Sequence, residues 1–372
     1  MSFSIFYYYL PLSLLSILEI ITKNKKNKFF CFFSSTILTI FFIGLSYKLG
    51  VDWVEYIRIY EGSSTQIDHF EKGYILLNNF LNFLGINFWF YHITLKIIFL
   101  LLLISFIRKY SQLPVITLSI FIGLSFPFIN DPLRQLIATC ILLTTFLFFN
   151  RPPKLIGILM GFLFHSSFIV ICVSWISKIK KKQLITLFIL LYAFYFLIIT
   201  NMNGIINTPF LPLNFIFEKI NFYIKYSSSP NLISTFLRII FLLFICLSIK
   251  IKVINSSYLG NDVFKYFWVF SLTCLFLELT SILTPIFSQR MRLYLLIFPI
   301  VLFSNYLYSR PTIFKIIVQM IMISYCSISL YLFTEKKIGG FYSLDKNIIV
   351  EYLNDYPNKN ISRKVDEFWI KR

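Results

Sequence analysis

Four arginines, one histidine and several carboxylates beside aromatic rings are the residues with chemistry to offer. Arg134 stands in "FPFINDPLRQLIA". There Asp131 can cap a helix whose first residue is Pro132, which puts Arg134 in the first helical turn. Unpaired backbone N–H groups and the dipole at that end favour an anion, and a guanidinium adds a two-pronged donor. Arg290 and Arg292 open a later apolar segment in "FSQRMRLYL", and Arg238 lies in the early part of segment 232–249. His165 stands in "FHSS", midway along an apolar stretch with lysines at both ends. Asp52 and Tyr56 in "GVDWVEYIRIY", and Glu71 and Tyr74 in "FEKGYILL", set acids next to rings. That pairing suits sugars, whose hydroxyls donate to acids and whose C–H faces cover rings. The arginines could hold a diphosphate, which leaves as a stable anion without needing a proton. His165 could act as a base or orient an acceptor hydroxyl.

Each of these residues also has a plain structural reading. An arginine near a membrane boundary can simply snorkel to it. The acidic, aromatic stretch can be an interfacial belt. The histidine can be a satisfied group in a broken helix, although ionisable residues inside a membrane are functional by default.

The elements that must position them are membrane helices. The chain has 372 residues, 58% hydrophobic and 20% aromatic, with mean hydropathy +0.76. Soluble domains are under half apolar, so a polytopic, all-α membrane protein is expected. The net charge of +19 sits in short clusters between apolar runs. It therefore marks orientation and contact with anionic membrane lipids rather than a nucleic-acid face. Apolar windows long enough to cross roughly 30 Å of hydrocarbon fall near 3–22, 29–47, 88–107, 114–130, 133–149, 184–201, 232–249, 266–286, 291–309 and 313–333. The first reads as a retained span, because its basic residues follow it and no small-residue cleavage site is visible.

The stretch 155–177 is decided by charge. Apart from the tail and the in-span Lys96 and Arg238, 25 Lys and Arg lie in or beside loops. If 155–177 returns to its starting side, 17 fall inside and 8 outside; if it crosses, the split is 12 against 13. Only the first obeys the positive-inside bias. A broken or re-entrant hairpin near 155–177 is therefore expected, with two short half-helices of about 15–18 Å and "FHSS" at the tip. Gly157 and Gly161 suit close packing of its first leg. Both termini then face outward, with loops 48–87 and 202–231. The chain divides into a membrane domain, 1–333, and a polar exoplasmic tail, 334–372. Glu278 and Lys96 are in-membrane charges that must pair or face water, and Glu278 is expected to neutralise one of these cations, with its partner left open. The six cysteines fall in apolar segments as small hydrophobes. No metal-ligand spacing is visible, and neither a metal nor another cofactor is expected.

In this order the motifs resemble the EpsG-type family of bacterial polysaccharide polymerases, relatives of the Wzy O-antigen polymerases. The carriers are "GVDWVEYIRIY", "FEKGYILLNNFLNFLG", "PLRQLIA", "FHSSFIV" and "SQRMRLYLLIFPIVL", from about 45 to 310; Lys72 departs from the family pattern, which has a proline there. The resemblance implies an enzyme of the bacterial cytoplasmic membrane with its active site on the exoplasmic side. Its substrate would be a glycan linked to undecaprenyl diphosphate, and the growing chain would move onto a fresh lipid-linked unit. Implied partners include a chain-length regulator and a flippase. The implied catalytic residues are His165, Arg134 and Arg290, with Asp52, Tyr56, Glu71, Tyr74, Arg292 and Arg238 binding substrate. Two rivals remain. A lipid-linked oligosaccharide flippase should show internal repeats and charges through the full membrane depth, and neither is evident. A polyprenyl-phosphate-dependent glycosyltransferase should carry early acids in the first outer loop, which "GVDWVE" partly supplies.

Overall fold

The structure, a computed structural model, describes residues 4–62, 70–130, 132–200, 232–250, 258–282 and 285–334. The loop 202–231, the tail beyond 334, Asp68 and Asp131 lie outside the described residues. Among the described residues all regular structure is helical. Among these described residues four helices are long and apolar enough to cross a membrane: Lys25–Gly44, Phe88–Tyr110, Asn261–Thr280 and Thr312–Tyr331. Shorter apolar helices of 10–17 residues lie within the other expected windows.

The chain groups into two compact units, one of residues 1–169 with 303–372, the other of residues 170–302. The first unit begins with α1 (Ser4–Ile21) and α2 (Lys25–Thr39), which runs on into a π-helical turn, Ile40–Gly44. Two short helices follow, α3 (Trp53–Tyr60) and α4 (Lys72–Phe83). Then come α5 (Phe88–Tyr110), α6 (Pro114–Asn130), α7 (Leu133–Phe149) and α8 (Leu155–Phe164). The second unit holds α9 (Lys181–Thr200), α10 (Leu232–Lys250), α11 (Asn261–Thr280) and α12 (Pro285–Leu295). The chain then passes through α13 (Ile297–Tyr308) to α14 (Thr312–Thr334), which packs on α1 and α6.

Three sequence expectations are corrected. Pro132 caps α7 instead of starting it, since the amides of Gln135 and Leu136 both donate to its carbonyl. The window 291–309 is not one helix. Pro299 has no N–H for the Leu295 carbonyl and its ring crowds that oxygen, so the chain breaks between α12 and α13. The second leg of the expected hairpin is a 3₁₀ helix, Ser166–Lys178, instead of a short α-helix. Its sequence "SSFIVICVSWISK" is dense in β-branched side chains, which lose rotamer freedom in an α-helix.

The break itself falls at His165, whose backbone is extended (φ −157°, ψ 119°). The chain turns there. A Cβ on Gly161 would lie 2.2 Å from the Phe168 ring, whereas residues seven apart in one straight helix stand about 10 Å apart along the axis.

Polar contacts gather the basic turns of the first unit at one end. Glu19 of α1 accepts the amides of Val115 (3.2 Å) and Ile116 (3.0 Å) at the start of α6. Tyr110 Oη donates to Asn150 Oδ1 at 2.9 Å, and the Gln112 amide donates to Asn305 Oδ1 at 2.8 Å. Residues 23–28, 108–109, 151–154 and 310–315 therefore share that end. The buried Lys96, toward the other end, donates to Ser46 Oγ at 2.8 Å. The six cysteines are unpaired and none is exposed.

Candidate functional site

The densest chemistry of the first unit lies where α4, α7 and the end of α8 meet. Glu71 occupies the cap position of α4, yet its carboxylate does not cap its own helix. One oxygen pairs with Arg134 Nη1, and the other accepts the Ser166 amide at 3.0 Å. A single carboxylate thus holds the first turn of α7 against the residue that follows His165. Gly73 makes the approach possible, because a Cβ there would stand 2.6 Å from the Leu163 carbonyl oxygen.

Aromatic rings wall this ion pair. The Arg134 guanidinium lies 4.2 Å from the Phe70 ring centre and 6.0 Å from that of Tyr56, at distances where a cation is attracted to a ring face. Tyr56 and Tyr74 meet edge to face at 5.6 Å. Tyr74 is fully buried, and that burial pushes its phenol well above its ordinary pKa, with Tyr91 and Tyr56 adding to the rise. It stays a neutral hydroxyl at physiological pH. Asp52, at the start of α3 one turn before Tyr56, borders a different aromatic group in which Trp53 meets Trp89 at 5.3 Å. His165 is buried, and Ser167 meets its Nδ1 through both Oγ (2.6 Å) and the backbone N (3.3 Å).

The second unit contains its own charged group. Glu278 of α11, fully buried, receives Arg238 Nε of α10 at 3.0 Å on each oxygen and Arg292 Nη1 of α12 on Oε1. Arg238 also donates to Thr235 Oγ1 at 3.0 Å. The expectation that Glu278 neutralises one of the cations holds, with two arginines as its partners. Arg290 is half-buried; residues two apart on a helix face different ways, so Arg292 turns to Glu278 while Arg290 projects from another side of α12.

Of the expected site residues, Tyr56, Glu71, Tyr74, Arg134 and His165 come together, and Arg238 and Arg292 form a separate group. The sequence reading missed Gly73, Phe70, Ser166 and Ser167. The only local signal was a glycine two residues after an acid at a helix start, which marks close backbone approach. Among the described residues no cluster of His, Cys, Asp and Glu stands at metal-binding distance.

A family model described as "EpsG family" matches residues 28–345. No curated protein and no solved structure matches the chain.

Proposed function

The chain belongs to the EpsG family, of the Wzy-like polysaccharide polymerase type, and on that premise we propose that it lengthens a glycan carried on undecaprenyl diphosphate. It is a membrane protein of polysaccharide biosynthesis. In the proposed reaction, the growing glycan leaves its lipid for the non-reducing end of a fresh lipid-linked unit. The sugar C1–O bond to the diphosphate breaks, and its electron pair leaves with undecaprenyl diphosphate. The acceptor hydroxyl oxygen forms the new bond to C1, and its proton passes to solvent. Arg134 binds diphosphate oxygens, Tyr56, Tyr74 and Glu71 are assigned to sugar, and so is Asp52 beside the neighbouring aromatic group. In the second unit Arg290 is assigned to the diphosphate, and Arg238 and Arg292 are assigned to substrate binding.

One observation carries this reading. The two oxygens of Glu71 are held by Arg134 and by the Ser166 N–H, so two donors converge on an anion beside His165. A phosphate group offers the same pair of acceptors, with more charge. Sidedness supports it too. The basic turns of the first unit share one end, which the positive-inside bias makes cytoplasmic. Arg134, at the opposite end of α7 from the turn at 151–154, then faces the exoplasmic side. About ten crossings, with the chain re-entering at His165, complete the proposed topology.

Deletion of the gene, with surface glycan displayed by size, tests the function. Long chains should vanish while single repeat units are still made and exported. Loss of a flippase would instead trap units inside the cell, and an unchanged length distribution would refute the polymerase reading.

A further inference from the structure

α2 and α5 separate toward the end of the first unit that carries the basic turns. They approach closely at the π-helical turn, where a Cβ on Gly44 would stand 3.3 Å from the Ile97 side chain. Nearer the basic end a groove of about 230 Å³ lies between them. Phe29, Phe32 and Phe33 of α2 and Ile104 of α5 form its walls, and Thr36 lies at its deep end. Thr36 turns its hydroxyl back to the Phe32 carbonyl at 2.9 Å, which leaves little polarity there. Ser105 and Arg108 of α5, both exposed, stand at the mouth.

The groove follows the chemical order of a phospholipid. Arg108 lies nearest the basic end. Ser105, three residues back on the same face of α5, is about 4.5 Å deeper. The apolar wall from Phe29 to Thr36 runs about 10 Å along α2, within the roughly 15 Å of one leaflet. A cation, a hydroxyl and an apolar slot in that order fit a phosphate, the ester oxygens below it and an acyl chain.

Charge selects the headgroup. Lys109 Nζ donates to the Leu147 carbonyl at 2.5 Å, Arg151 lies 5.7 Å from the Phe149 ring centre, and Arg310 lies 4.4 Å from that of Tyr306. Those cations rest on the chain itself, whereas Arg108 lines the groove. Lys23, Lys25, Lys26 and Lys28 stand at the start of α2, whose first turn holds no acid. A zwitterionic headgroup would bring its own cation toward these lysines. An anionic headgroup brings only charge that they attract.

We propose that this groove binds one anionic phospholipid of the bilayer, with its phosphate on Arg108, its ester oxygens at Ser105 and one acyl chain between α2 and α5. The lipid fills the wedge between the two helices and ties the first unit to a negatively charged leaflet. The site goes beyond the polymerase reading and does not rest on it. It requires only that α2 and α5, both long and apolar, lie in the bilayer.

The purified full-length protein, stripped of lipid in detergent and titrated with phosphatidylglycerol or phosphatidylcholine of identical chains, tests the site by native mass spectrometry. One phosphatidylglycerol should bind about fivefold more tightly than phosphatidylcholine, the effect of about one cation at a charged membrane surface. Arg108→Gln should erase that preference, and Arg151→Gln, at the same end, should keep it. Ser105→Trp leaves the charge in place but fills the mouth, and should weaken phosphatidylglycerol binding by at least about fivefold. Free glycerol phosphate, which has no acyl chain, should not displace the lipid even in excess. Equal binding of the two lipids, or a preference that survives Arg108→Gln, would overturn the proposal. Equal loss in Arg151→Gln would do the same by leaving only a diffuse basic surface. Unchanged binding in Ser105→Trp, or displacement by glycerol phosphate, would remove the groove from the site.

Discussion

Gly73→Ala perturbs the Glu71–Arg134 site with one methyl group, leaving charge and hydrogen-bonding groups untouched. The new Cβ would stand 2.6 Å from the Leu163 carbonyl oxygen and 2.9 Å from Leu163 Cβ. The nearer neighbour is backbone and cannot swing aside like a side-chain tip. Restoring ordinary contact at 3.4 Å requires α4 and the end of α8 to separate by about 0.8 Å. Overpacking of this kind costs about 1–3 kcal/mol. The separation also stretches the bond from the Ser166 amide to Glu71, now 3.0 Å, toward a length at which it no longer counts as a hydrogen bond. Misplacement of about 1 Å in a reacting site can cost about 10²-fold in rate. Gly73→Ala should therefore lower chain lengthening by about 10- to 100-fold per folded molecule. Gly123→Ala is the matched comparison. Its Cβ would lie 2.6 Å from Cys326 Cβ and 2.9 Å from Tyr9 Oη, among α6, α14 and α1, and it shares no neighbour with the site. It should reduce folded yield comparably but leave turnover of the folded fraction within about twofold of the parent. Tagged variants expressed in a deletion strain, with folded protein quantified by size-exclusion chromatography in detergent and glycan by gel ladder, give both numbers. A well-folded Gly73→Ala protein making chains of normal length would refute the reasoning, as would equal loss per folded molecule in both variants.

Arg134→Lys keeps the charge but loses the guanidinium fork and its contact with the Phe70 ring. Chain lengthening should fall at least about tenfold at near-normal expression, and a fully active lysine variant would contradict the assignment. Glu278→Gln strips a fully buried carboxylate from two arginines and should cost about 3–5 kcal/mol of stability, seen as a lower unfolding temperature in detergent. Adding Arg292→Leu should recover part of that loss without restoring normal glycan length, whereas an unshifted unfolding temperature in Glu278→Gln would deny the ion group its weight. Reporter fusions at Lys26, Lys109, Lys154 and Lys180 should read cytoplasmic and those at Asp52 exoplasmic; Asp52 and Lys180 on one side would defeat the proposed topology.

The sequence by itself determined the all-helical, apolar character of the chain, the shared end of the basic turns in the first unit and the break at His165. Apolar length, charge in short turns and a β-branched run after a histidine are local properties, and they act wherever the helices pack. Four arginines near helix ends were equally visible. Which acid each would meet was not. Glu71 reaches across 63 residues to Arg134 and 95 to Ser166, and Glu278 reaches back 40 to Arg238. Several cations offered Glu278 the right charge, and only the facing of α10, α11 and α12 selected Arg238 and Arg292, with Arg290 turned elsewhere. Glu71 reads from its neighbours as a sugar-gripping acid, and the tertiary structure adds a cation and a backbone amide that those neighbours do not announce. Partner choice between charges depends on which helix faces come together over a few ångströms, a property that neither the hydropathy of a segment nor the charge of a turn encodes.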